Sequence, residues 1–255
     1  MRLRQIALVA EKLEPALTVL TRVLGVKVAY RDPKIIHFGL ENALMPFGGN
    51  FLEVVAPIQD GTTAGRYLER RGGNGGYMVI LQCPDALAQR ERILGTGIRS
   101  VFNIDNDEYR ATHFHPRDLG NFLLSVDSVK PGEDFTDPMC MWEPAGNDWR
   151  DFVSTELVSE MTGTELQSEN PDELAALWSK ALDLPLTESP SGQKAIALLN
   201  GTLKFVKDTD GRGPGVGAID LKVVDTQRIL DAAQECGCDF TDNQVTICGT
   251  RFNLL

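Results

Sequence analysis

The sequence predicts an α+β chain built from repeated β-α-β-β-β units. Three observations point to it. Residues 13–24 carry Leu13, Ala16, Leu17, Leu20, Val23 and Leu24 at helical spacing, between short apolar runs of strand length. A capped helical turn within residues 62–73, with Thr62 or Thr63 as its N-cap and Gly72 as its stop, separates two stretches with the same order of elements. Letters recur across that divide: His37-Phe38 answers His113-Phe114, and Asn50-Phe51-Leu52 answers Asn121-Phe122-Leu123. Such self-similarity fixes architecture more firmly than any single propensity.

In chain order, residues 3–9 read as an apolar strand, followed by the helix that ends at Gly25. Residues 26–30 and 34–40 read as strands around an Arg31-Asp32-Pro33 turn, residues 42–49 as a loop, and residues 51–55 as a fourth strand. The second unit repeats this. It has a strand at 77–83, a helix at 85–94, strands at 99–104 and 109–114 split by Asp105-Asn106-Asp107, and a last strand at 121–127. The glycines at 72, 73, 75 and 76 lack the Lys-Ser/Thr of a phosphate loop, so they read as backbone freedom between units. Residues 131–154, rich in Pro, Gly, Asp and Trp, read as a linker docked through its tryptophans.

Residues 155–255 replay the order more faintly. Residues 163–168 read as a strand, and Pro171 opens a helix through Leu182. Asn200-Gly201 turns a hairpin of residues 195–199 and 202–206. A strand at 218–224, a helix at 226–235 and short closing strands follow. The expected organisation is one domain over residues 1–130, units 1–57 and 75–129, and a degenerate second domain over 155–255.

With 42% hydrophobic and 24% charged residues over 255 positions, a packed core is expected. No apolar run approaches the roughly 20 residues of a membrane span, and the N-terminus lacks a signal-peptide pattern. Five cysteines without a metal-type spacing read as reduced thiols, which places the chain in the cytoplasm. Residues 1–135 carry 16 basic and 16 acidic side chains, and residues 136–255 carry 9 and 20, so the net charge of −11 lies in the second half. An acidic chain without a basic stripe excludes nucleic acid and anionic membranes as partners. Whether the halves pack on each other or exchange in a homodimer is left open.

This order, and residues 62–85 above all, resembles the vicinal oxygen chelate superfamily of glyoxalases, bleomycin-resistance proteins and extradiol dioxygenases. Within it, Thr63-Ala64-Gly65-Arg66-Tyr67-Leu68-Glu69-Arg70-Arg71-Gly72 and His115-Pro116-Arg117-Asp118-Leu119-Gly120 are similar to the methylmalonyl-CoA epimerase branch. The likeness covers about residues 1–130 and implies paired units whose curved mixed sheets form a cup, giving two glyoxalase-like domains. It also implies a divalent metal held by the first and fourth strands of each unit. Those positions fall on Gln5, Glu53, Met78 and Ser125 in the first half, and near Gly163, Lys204, Ala218 and Asn253 in the second. Glu53 alone is a good hard ligand, Met78 is soft, and a lysine repels a cation.

The resulting expectation is a first cup that binds a small organic molecule without a metal cofactor. Glu53 is its candidate catalytic residue, and Gln5, His37, Tyr77, Met78, His113 and Ser125 are its lining. An alternative is a metal-dependent isomerase, lyase or dioxygenase that pairs Glu53 with His37 or His113. Against these stand plainer readings: strand histidines in ordinary hydrogen bonds, Tyr77 and Met78 as core, and Arg66, Arg70 and Arg71 as a solvated helix face.

Overall fold

In the computed structural model, which describes residues 1–255, strand β1 (Arg2–Val9) runs through the middle of a sheet and all eight of its residues are buried. It pairs in parallel with β3 (Asn50–Pro57) and antiparallel with β4 (Gly75–Gln82). Burial on both faces accounts for the apolar run Ile6-Ala7-Leu8-Val9, while the buried Arg2, Arg4 and Gln5 are met by hydrogen bonds. Helix α1 (Leu13–Leu24) lays its Leu13, Leu17, Leu20 and Leu24 face on the core and ends at Gly25, whose φ of 67° is left-handed.

The next stretch departs from the expectation. Residues 26–29 form no strand, and Tyr30 makes a single bridge to Leu44. Pro33–Phe38 is a 3-10 helix, because Asp32 caps it by accepting from the Lys34 N–H at 2.9 Å and Pro33 suits a first helical position. The strand expected there is instead β2 (Leu40–Phe47), in the residues read as a loop, and it pairs with β3 throughout. Pro46 disguised it. β2 is the sheet's edge, where a missing N–H is tolerated.

Helix α2 (Thr63–Arg71) starts at Thr62, whose hydroxyl accepts from the Gly65 N–H at 2.9 Å. After β4 come α3 (Ala86–Leu94), β5 (Ser100–Asp105), β6 (Tyr109–Phe114) and β7 (Leu123–Val129). The first half thus forms a seven-stranded sheet, β2-β3-β1-β4-β7-β6-β5. The second half contains β8 (Val158–Ser168), α4 (Pro171–Leu182), β9 (Leu186–Glu188), β10 (Lys194–Leu198), β11 (Gly201–Lys207), β12 (Gly215–Val223) and α5 (Thr226–Glu235). It closes with β13 (Phe240–Thr241), β14 (Gln244–Ile247) and β15 (Thr250–Leu254). Its sheet runs β9-β10-β11-β8-β12-β15-β14-β13.

The two sheets meet at one register pair, Val216 with Gly76. A single apolar core of 50 buried residues draws side chains from α1, α3, α4, α5 and both sheets, so the halves share one interior. Arginine locks the junction. Arg71, read from sequence as a solvated residue, is buried and donates to the carbonyls of Arg212, Gly213 and Pro214, while Arg212 donates to those of Arg71, Asn74 and Gly249. No helix is long and apolar enough to cross a membrane.

Candidate functional site in the first cup

Residues on alternate positions of β1, β3, β4 and β7 face the hollow of the first sheet. One register row runs Leu44, Glu53, Ala7, Met78, Leu123, and the next runs Phe51, Gln5, Ile80, Ser125, His113. Gln5, Glu53, Met78 and Ser125 therefore stand in adjacent rows. The bond between Gln5 Nε2 and Glu53 Oε2, 2.8 Å long, confirms that the first two converge.

Glu53 is held by two amides whose orientations are forced. The Trp142 indole N–H, which can only donate, meets Gln5 Oε1 at 2.8 Å, so the Gln5 NH2 must face Glu53. Asn42 Oδ1 accepts from the Asp32 N–H at 2.9 Å, so the Asn42 NH2 must face Glu53 Oε1, at 2.6 Å. Each carboxylate oxygen thus accepts one neutral donor, and no ion pair involves Glu53. Burial raises its pKa above the usual carboxylate value, against the two amide bonds, which lower it.

A second buried carboxyl escaped the sequence reading. Asp127 lies on β7 two residues beyond Ser125 and accepts from the Ser125 and Tyr109 hydroxyls. Burial pushes it up to about 7, against both hydrogen bonds. The period of two from Ser125 was the signal that would have found it.

The cup is not empty. The linker enters it through Trp142 and Trp149, both fully buried, which pack with Phe51, Ile80, Tyr109 and Met78. A bulge in β1 between Leu3 and Gln5 turns Arg4 toward this plug. Arg4 donates to the carbonyls of Gly49, Pro138 and Cys140, and its guanidinium sits 5.1–5.7 Å from the rings of Phe51, Trp142 and Trp149. Its burial pulls it down to about 9. Beside the plug a pocket of about 460 Å³ opens between Tyr30, Glu143, Gly146 and Phe152, and none of the expected site residues lines it.

The remaining candidates divide. Glu53 and Met78 keep 8% and 6% of their surface accessible, and Tyr77 and His113 are half-buried, so none of the four is sealed off completely. Burial pushes Tyr77 up to about 12 and His113 down to about 4, so both are neutral at neutral pH. His113 meets Phe102, which meets Phe38 of the 3-10 helix, at ring separations of 5.3 and 5.2 Å. His37 is exposed on that helix and is not the counterpart of His113, because its residues are helical where β6 is extended. His115 is a cap that accepts from the Arg117 N–H.

A family profile described as "Glyoxalase-like domain" matches residues 6–182, more than half of the sequence. The chain belongs to this family. No curated protein sequence matches it. Among solved structures, a variant of 4-hydroxymandelate synthase from Streptomyces coelicolor aligns over 94% of this chain and 76% of its own, with a TM-score of 0.66 at 14% identity. Methylmalonyl-CoA epimerase from Mycobacterium tuberculosis aligns over 51% of this chain and 89% of its own, with a TM-score of 0.46 at 21% identity. At 14% identity, the likeness to the synthase shows a shared fold across both halves.

The metal that the family implies does not suit the residues of this glyoxalase-like protein. In the first cup, Glu53 is the one hard anionic ligand, the Gln5 oxygen is taken by Trp142, Met78 is a thioether, and the Ser125 hydroxyl is spent on Asp127. No three His, Cys, Asp or Glu side chains come together as a ligand group, so a pairing of Glu53 with His37 or His113 does not grow into one. In the second cup the four strands contribute Glu165, Lys204, Asp220 and Asn253, and the centre is held by an ammonium.

Proposed function

We propose that this glyoxalase-like protein binds a small organic molecule in its first cup against Glu53, without a divalent metal. The observation that carries this reading is the forced orientation of Gln5 and Asn42. Their NH2 groups hold the carboxyl in place with one bond per oxygen. Each oxygen keeps a free lone pair, since a carboxylate offers about four acceptor sites. A ligand that supplies a hydroxyl, an N–H or an acidic C–H is the natural complement. A carboxyl whose burial disfavours ionisation is suited to hold or return that proton. Met78 and the neutral Tyr77 and His113 give such a ligand apolar walls with few polar contacts, the usual make-up of a small-molecule site.

The test is a thermal-shift screen of hydroxy acids, keto acids and acyl thioesters on the wild type and on Glu53→Gln, followed by calorimetric titration of each hit. A bound ligand raises the melting temperature by mass action. The expected result is a hit whose affinity falls at least about tenfold, or about 1.4 kcal/mol, in the folded variant. A hit that binds both proteins equally would show that the molecule sits elsewhere.

A further inference from the structure

We propose that the ammonium of Lys204 occupies a divalent-cation position, so that the second cup is a cation site closed by the protein's own side chain. Lys204 on β11 and Glu165 on β8 are register partners, as are Asp220 on β12 and Asn253 on β15. Four strands thus deliver one side chain each to one point. The Lys204 Nζ lies 3.0 Å from Glu165 Oε1 and 3.0 Å from each oxygen of Asp220. Asn253 Nδ2 bridges the two carboxylates at 3.1 and 2.8 Å, and its orientation is set by Gln244, which donates to Asn253 Oδ1 at 2.7 Å. Arg251 reaches the outer oxygen of Glu165 at 3.4 Å.

Three oxygens from two carboxylates therefore surround one positive charge. Hard divalent ions take such oxygens at roughly 2.0–2.6 Å. Contraction from 3.0 Å by less than about an ångström would seat one in place of the ammonium. Gly163 supplies the room, because a Cβ there would come within 2.8 Å of Asp220 Oδ2. Without a central cation, Glu165 and Asp220 would repel each other in a half-buried place. Lys204 stays protonated: burial would lower its pKa, but Asp220 and then Glu165 outweigh that and raise it.

The test uses the full chain with Lys204→Ala and Lys204→Met, each titrated with manganese chloride and followed by equilibrium dialysis and thermal melting. The wild type is expected to take up no stoichiometric manganese. Lys204→Ala is expected to take up one ion per chain and to melt several degrees higher with manganese than without it. Adding Asp220→Asn to Lys204→Ala is expected to abolish both effects. A folded Lys204→Ala that takes up no ion overturns the proposal. So does a wild type that binds as the variant does, or uptake that Asp220→Asn leaves unchanged. If neither variant folds alone, refolding in manganese must restore the native melt; failure to do so also overturns it.

Discussion

Trp142 donates its indole N–H to Gln5 Oε1 across 2.8 Å, although the two residues are 137 positions apart. This one bond sets the polarity of the chain of donors that ends on Glu53, and it ties the linker to the central strand. Replacing Trp142 by Phe removes the donor and leaves Gln5 Oε1 unpaired in a buried place. The expected cost is about 1–3 kcal/mol, while Trp142→Ala, which also opens a cavity, is expected to cost about 3–5 kcal/mol. Urea titration of both variants measures the difference.

Glu53→Gln is expected to destabilise although it removes a buried charge. Its new NH2 must face the NH2 of either Gln5 or Asn42, because neither amide can turn without losing Trp142 or Asp32. The cost is about 1–3 kcal/mol for one unpaired donor. Glu53→Ala in a Trp142→Phe background should cost less than the sum of the single changes, since Gln5 is then free to turn. Denaturant midpoints for the double-mutant cycle settle this.

Asp127 gives the fold a pH dependence opposite in sign to that of a salt-bridged carboxylate. Its folded pKa, about 7, lies above the unfolded value, so the native state holds an extra proton between about pH 4 and 7. Its contribution is most favourable at the acid end and is lost as pH rises through 7. Asp127→Asn should therefore gain stability relative to the wild type between pH 5 and pH 8, by on the order of 2 kcal/mol. His113, lowered to about 4, acts the other way: its contribution is present above about 6.5 and is lost as pH falls toward 4. Melting curves of the wild type, Asp127→Asn and His113→Gln across this range separate the two slopes.

Asn200, at the β10–β11 turn, behaves as an added piece of strand. Its side chain accepts from the Leu3 N–H and donates to the Leu3 carbonyl, both at 2.9 Å. It also donates to Asn50, which in turn donates to the Met161 carbonyl. Asn200→Ala leaves a buried backbone pair unmet between the halves, and a loss of about 1–3 kcal/mol is expected. Hydrogen exchange at Leu3, faster in the variant than at the centre of β1, would locate the damage.

The repeat was legible because period and punctuation agreed, as at Leu13–Leu24 with Gly25 and at Thr62 with Gly72. It failed at residues 33–47, where Asp32-Pro33 carries a helix start and Pro46 sits inside an edge strand. Glu53 stood out as a lone charge on an apolar strand. Asp127, Glu165 and Asp220 were hidden because the positions the resemblance implies fall at Ser125 and near Gly163 and Ala218, each two positions short on the same face. The filling of the cup by Trp142 depends on contacts across more than a hundred residues, which local pattern does not encode.

Gly76 reads as one member of a loose run, yet a Cβ there would collide with the carbonyl oxygen and side chain of Val216. Gly72 and Gly73, only a few positions earlier, have nothing within 4 Å of such an atom. The gap where the two sheets meet is therefore set by a missing methyl group, and even alanine at that spot would act as a wedge. Tolerance to substitution should drop abruptly at the end of a stretch that looks uniformly permissive, and the first sign of intolerance would be two hollows that no longer sit at a constant distance from each other.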